Sequence, residues 1–203
     1  MQPVEIWQAL ETFNLFFKLG LEHILDINGS DHILFVIALT ALFTISDWKK
    51  VVILVTAFTI GHSITLALAT LRVVHFSTAI IEFLIPVTIF LTAFSNLFRK
   101  KGVGRPMKAQ LNYYYALFFG LIHGLGFSNY LRSLLGREKN IVVELLAFNI
   151  GLEIGQIVVV ALFLLASLLF VDIGGVSKRD WRMVISSGVA AIAITMMYET
   201  KFW

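Results

Sequence analysis

An all-α, polytopic bundle of membrane helices is the fold class this sequence predicts, and three observations predict it. Apolar runs alternate with short charged connections along the whole chain. Hydrophobic residues make up 58% of it and charged residues only 14%, whereas soluble domains carry about a quarter charged residues. The mean hydropathy is +0.85. A spanning helix needs roughly 20 residues, so 203 residues suffice for a single integral-membrane domain over residues 1–203, with six spans and an additional N-terminal helix.

The elements follow in order. Residues 1–27 carry Ile6, Leu10, Phe13, Phe17 and Leu21 near helical spacing, with Glu11, Lys18 and Glu22 between them; the segment is expected to be an interfacial or a packed helix. Its start lacks a basic region followed by an apolar core, so it is expected to be retained in the mature protein. The spans are expected at about 30–46, 51–71, 78–98, 113–131, 141–171 and 183–199, each an apolar run bounded by charge. The first is short, and Asn28-Gly29-Ser30 is expected to form a turn in which Ser30 caps it. Tyr113-Tyr114-Tyr115 and Phe202-Trp203 read as interfacial anchors.

Loop charge sets the orientation. Lys49, Lys50, Arg99, Lys100, Lys101, Arg105, Lys108, Lys178, Arg179 and Arg182 all follow odd-numbered spans. The other side has Lys18, Arg72, Arg132, Arg137, Lys139 and Lys201, which places the richer set on the cytoplasmic face. The Asp31-His32 end of span one and the C-terminus then lie outside. An internal echo pairs Ala57-Phe58-Thr59-Ile60-Gly61-His62-Ser63-Ile64 with Ala147-Phe148-Asn149-Ile150-Gly151-Leu152-Glu153-Ile154. If it is a repeat, spans two and five are equivalent members of an inverted three-plus-three arrangement.

Composition also excludes functions. The chain has no G-x-x-x-x-G-K-[ST] and no G-x-G-x-x-G, so it is no nucleotide-driven motor. The net charge of +3 belongs to orienting loops, and no nucleic acid is expected as a partner. With no cysteine, a metal site must use His, Asp, Glu and neutral oxygens.

Four places could carry such a site. His23 and Asp26 lie three apart on one helix face, and Asp31 and His32 open span one beyond a glycine turn; imidazole and carboxylate together suit nickel, cobalt or zinc. The plainer alternative is that Asp31 answers a helix dipole while the histidines hydrogen-bond. His62, in the middle of span two beside Ser63, should face the bundle interior as a ligand or relay, or else as interhelical glue. His123 borders the small face of Gly120 and Gly124. On span five, Asn149, Glu153 and Gln156 share one face, with Glu153 either part of a shared polar core or a neutral structural carboxyl. Glu82 in span three is a weaker candidate for lining an entry path, and Glu144 reads as interfacial. Cu(I) is disfavoured, because soft ligands are missing.

The motifs G-x-x-H-I-L-x-x-x-x-S-D-H-I-L-F from Gly20 to Phe35, T-I-G-H-S-I-T from Thr59 to Thr65, G-L-I-H-G-L-G-F-S from Gly120 to Ser128 and F-N-I-G-L-E-I-G-Q from Phe148 to Gln156 together resemble the shorter branch of the HupE/UreJ membrane proteins. That resemblance implies a small multi-pass protein of the inner (plasma) membrane, associated with hydrogenase and urease accessory systems and presumed to move nickel or cobalt. The expected function is therefore membrane transport of a divalent transition metal ion, with no enzymatic activity. In that scheme His23, Asp26, Asp31 and His32 capture the ion at the outer mouth, and His62, His123 and Glu153 pass it on. Ser63, Asn149, Gln156 and Glu82 support the path. An intramembrane zinc hydrolase and a metal sensor or assembly scaffold are the rival readings. The expected partners are the lipid bilayer, the metal ion (Ni, Co or Zn), and further copies or metalloenzyme-maturation proteins.

Overall fold

The computed structural model describes residues 3–27, 29–98, 109–135 and 141–203; Asn28, Arg137, Lys139 and the basic Arg99 to Lys108 loop lie outside the described residues. The described residues are mostly helical, with no strand among them. They form α1 (Pro3–Leu25), α2 (Asp31–Thr40), α3 (Trp48–Thr70), α4 (Thr78–Leu97), α5 (Ala109–Gly126), α6 (Ser128–Leu135), α7 (Val142–Ser167) and α8 (Lys178–Glu199). A 3₁₀ turn, Ile45–Asp47, leads into α3, and a π turn, Leu168–Ile173, extends α7. Among the described residues, four segments are long and apolar enough to cross a membrane: Ile45–Thr70, Thr78–Leu97, Val142–Ile173 and Lys178–Glu199.

The other two predicted spans differ from expectation. The segment at 30–46 is helical only over Asp31–Thr40. In its last turn the Thr40 hydroxyl donates to the carbonyls of Val36 at 2.8 Å and Ile37 at 3.2 Å, a back-bonding that slightly destabilises helices. The segment at 113–131 is split at Phe127 into α5 and α6, where the Ser128 hydroxyl donates to the Leu125 carbonyl at 2.7 Å. Ser30 does occupy the N-cap of α2, but its side chain makes no capping bond. Asp31 takes that part instead, its Oδ1 accepting the backbone N–H of His32 at 3.0 Å.

Helix pairing in lipid rests on close packing of small residues, because lipid tails remove the apolar driving force. Two seams use it here. In α3 and α5, a Cβ on Gly61 would sit 2.2 Å from the Leu117 carbonyl oxygen, and one on Gly120 would sit 2.2 Å from that of Phe58. In α1 and α7, a Cβ on Gly151 would meet Phe17 O at 2.0 Å and one on Gly20 would meet Phe148 O at 2.0 Å. Residue numbers rise together along both seams, so each pair is parallel. α1 is thus a packed helix rather than an interfacial one.

The two seams correspond residue for residue. Phe58 and Gly61 match Phe148 and Gly151, as the internal echo suggests, and Gly20-Leu21-Glu22-His23 matches Gly120-Leu121-Ile122-His123 in packing as well. α3 and α7 run antiparallel, since Thr56 meets Glu153 while His62 lies beside Phe148. α2 also opposes α3, with His32 beside His62 and Phe35 beside Phe58. It follows that α1 and α2 point the same way, as one helix interrupted between Leu25 and Asp31.

Candidate metal centre

The break between α1 and α2 brings His23, in the last turn of α1, to the first turn of α2. The His23 and His32 rings stand 4.6 Å apart, edge to face. α3 adds His62, with its ring 5.8 Å from that of His32 and 6.3 Å from that of His23. α5 adds His123, 5.2 Å from His32. Its imidazole is held there by the Gly120 and Gly124 face, which lets the backbone of α5 touch that of α3.

The ligand atoms form two overlapping groups. Those of His23, His32 and His62 lie within 4.8 Å of one another, as do those of Asp31, His32 and His123. Metal–nitrogen bonds are about 2.0–2.1 Å, so two ligands of one ion stand at most about 4.2 Å apart. Shifts of under about 1 Å therefore suffice to close either group on an ion. Nitrogen with a single carboxylate suits a borderline ion such as Ni²⁺, Co²⁺ or Zn²⁺.

The hydrogen-bond pattern leaves lone pairs turned inward. The Thr88 hydroxyl donates its one hydrogen to the Ile85 carbonyl at 2.7 Å, so its 2.9 Å contact with His123 Nε2 requires the ring N–H to donate. That fixes the tautomer and leaves His123 Nδ1 bare. Asp31 Oδ1 stands 3.1 Å from His32 Nδ1, which directs the other ring nitrogen of His32 inward in the same way. Accordingly His23 Nε2, His32 Nε2, His123 Nδ1 and both ring nitrogens of His62 are buried without a hydrogen-bond partner. Buried polar atoms in folded proteins are rarely left so, and the four imidazoles, in two groups that share His32, make this a candidate cation site.

Phenylalanines wall the centre. His23 packs on Phe127 at 4.1 Å, and His123 on Phe35 at 4.9 Å and Phe58 at 5.2 Å. Phe35 and Phe58 are fully buried. On one side of the centre lies an open cavity of ≈ 450 Å³, lined by Glu22, His23, Asp26 and Tyr130 among others. On the other, beyond Phe35 and Phe58, lies a cavity of ≈ 290 Å³ lined by Leu54, Thr92, Ser95, Asn96, Asn112 and Phe119 among others. Thr88, Thr92 and Asn96 are buried along one face of α4 and lead from His123 toward it.

The sequence divides the candidates into an outer and an inner set, whereas the structure joins His23, Asp31, His32, His62 and His123 in a single centre. Asp26 stays in the mouth cavity, one turn from His23. Glu153 is on a different face of α3 from His62, where it accepts the Thr56 hydroxyl at 2.7 Å. Gln156 accepts Thr59 there, and Ser63 and Asn149 line the same groove. Glu82 is exposed, outside every cluster of metal-ligating side chains among the described residues. Thr88 is the residue that sequence reasoning missed. Its signal was the Thr88, Thr92, Asn96 spacing of four beside Pro86 in an otherwise apolar run.

Thr88→Val removes the acceptor that orients His123 while keeping shape. It is expected to weaken cobalt binding about tenfold, the scale of outer-shell changes, with Thr88→Ser close to wild type; equilibrium dialysis on the purified variants checks both.

No curated protein and no solved structure matches the chain. A family model does: the one described as HupE / UreJ protein aligns with residues 3–201, taking in all four motifs, three of which supply the histidines that converge here, and the chain thus belongs to the HupE/UreJ family.

Proposed function

We propose that the protein is a permease of the inner membrane for a divalent transition metal ion of the nickel and cobalt class, with the four histidines and Asp31 as its central binding site. The observation that carries this reading is the set of unpartnered imidazole nitrogens at the break of a helix. Discontinuous helices with their ion site at the break are a recurrent transporter device. Counting α1–α2 and α5–α6 as one broken span each gives six spans over a single domain, in the inverted three-plus-three order that the matching glycine seams support. The arginine- and lysine-rich connections then face the cytoplasm.

In this scheme the ion enters the mouth cavity, where Glu22 and Asp26 supply negative charge, and meets His23. It passes to His32, which belongs to both ligand groups, and so to His62 and His123. Phe35 and Phe58 close the way to the inner cavity, so release needs those rings to move. Family membership supports the metal class, and the Ser63 and Ser128 hydroxyls, each donating to a backbone carbonyl, lend no support to a hydrolase.

Cobalt uptake into proteoliposomes tests the proposal. Wild type is expected to take up cobalt saturably, and His62→Ala to reduce the rate at least about tenfold. A protonated imidazole has no lone pair for a metal, so uptake at fixed cobalt should fall as the pH is lowered. Uptake equal to that of empty vesicles, or unchanged in His62→Ala, contradicts the proposal.

A further inference from the structure

The groove between α3 and α7, of ≈ 290 Å³, is lined by Thr56, Thr59, Ser63, Asn149 and Glu153, with Ile60, Ile64, Leu146 and Ile150 at its rim. It lies on a different face of α3 from His62. Its polar groups can be followed hydrogen by hydrogen. Thr56 donates its hydroxyl hydrogen to Glu153 Oε1 at 2.7 Å, Thr59 donates to Gln156 Oε1 at 2.8 Å, and Ser63 donates to the backbone carbonyl of Thr59 at 2.7 Å. The Asn149 amide nitrogen donates to the Leu145 carbonyl at 2.7 Å. Asn149 Oδ1 is buried and has no partner.

Each hydroxyl has one hydrogen, and each is committed: that of Thr56 to Glu153 within the groove, those of Thr59 and Ser63 outside it. What the groove receives is therefore acceptor lone pairs: three hydroxyl oxygens, an amide oxygen and a carboxylate. A buried acceptor without a donor, as Asn149 Oδ1 is, is costly in an apolar surrounding. A cation among them removes that cost. The donor set has no nitrogen or sulfur, which turns away the borderline ions that suit the histidine centre and selects a hard ion. A single carboxylate matches a single positive charge.

We propose that this groove is a sodium site, with Glu153, Asn149, Thr56, Thr59 and Ser63 as its oxygen donors. It shares helices with the histidine centre but no ligand: His62 and Ser63 are neighbours set about 100° apart around α3, and Phe148 touches the histidines while Asn149 and Glu153 line the groove. Occupancy of one site therefore bears on the packing of α3 against α7 at the other. The sodium site stands whether or not the histidines carry nickel or cobalt.

The test is equilibrium binding of radioactive sodium to the full chain in lipid nanodiscs, with choline chloride holding ionic strength constant. Wild type is expected to bind one sodium per chain saturably. Glu153→Gln should abolish binding, and Ser63→Ala, a mild change that leaves the fold intact, should weaken it at least about threefold. His32→Ala should bind sodium as wild type does, which separates a failure here from a failure of the histidine centre. No saturable binding in the wild-type chain overturns the proposal. So does binding unaltered by Glu153→Gln, and so does a site in which Glu153 exchanges only a proton, seen as carbodiimide labelling of Glu153 that sodium does not slow.

Discussion

His32→Ala is expected to lower the affinity for cobalt or nickel at least about 100-fold, since even outer-shell changes cost about 10–100-fold. No other ligand should cost as much, because His32 alone belongs to both groups of converging ligand atoms. Losing it leaves His23 with His62 on one side and Asp31 with His123 on the other. Each remaining pair is too few for a tetrahedral or octahedral ion without added water. The substitution also frees Asp31, whose Oδ1 otherwise contacts the ring. Isothermal titration with cobalt checks the affinity, and retention of the wild-type unfolding temperature in the metal-free protein separates ligand loss from misfolding.

The second large effect is on packing. Gly20→Ala places a methyl group 2.0 Å from the Phe148 carbonyl oxygen and 3.0 Å from the Leu152 nitrogen. Both obstacles are helix backbone, which cannot rotate aside as a side chain can. The α1–α7 seam must open along its length, at a cost of about 3 kcal/mol or more, beyond the usual range for overpacking. Gly61→Ala should do the same to the α3–α5 seam, where Leu117 O is 2.2 Å from the added carbon. Gly188→Ala in α8 is the contrasting case. Nothing lies within 4 Å of its added carbon, and relief of glycine's helix penalty should make it neutral or stabilising by up to about 1 kcal/mol. Thermal unfolding of the three variants in one detergent measures the contrast.

Much of this architecture is legible in the sequence because membrane helices announce themselves by length and polarity. The residues His23, Asp31, His32, His62 and His123 stand out for the same reason: ionisable groups in apolar helices need an interior partner. Their convergence is less legible. Whether the chain doubles back or runs straight on after Asp26 decides if Asp31 and His32 lie at a surface or at mid-bundle, and the turn residues permit either. The answer comes from Gly20 and Gly151, which dock α1 along α7, and from Phe35, which docks α2 against Phe58. The rotation of α7 is hidden in the same way. Phe148 and Glu153 are five apart, so one can face the histidines only if the other turns toward Thr56. Thr88 was missed because a single threonine in an apolar run is ordinary, and only its contact with His123 makes it informative.

The central claim is that one ion is held by the imidazoles gathered where α1 breaks from α2. X-ray absorption of the cobalt-loaded wild-type chain in nanodiscs tests it most directly. The expected result is a first shell with at least two imidazole nitrogens, recognisable by scattering from the outer ring atoms, and loss of one or more of them in His32→Ala. A shell of oxygen alone, or an imidazole signal identical in wild type and His32→Ala, would contradict it.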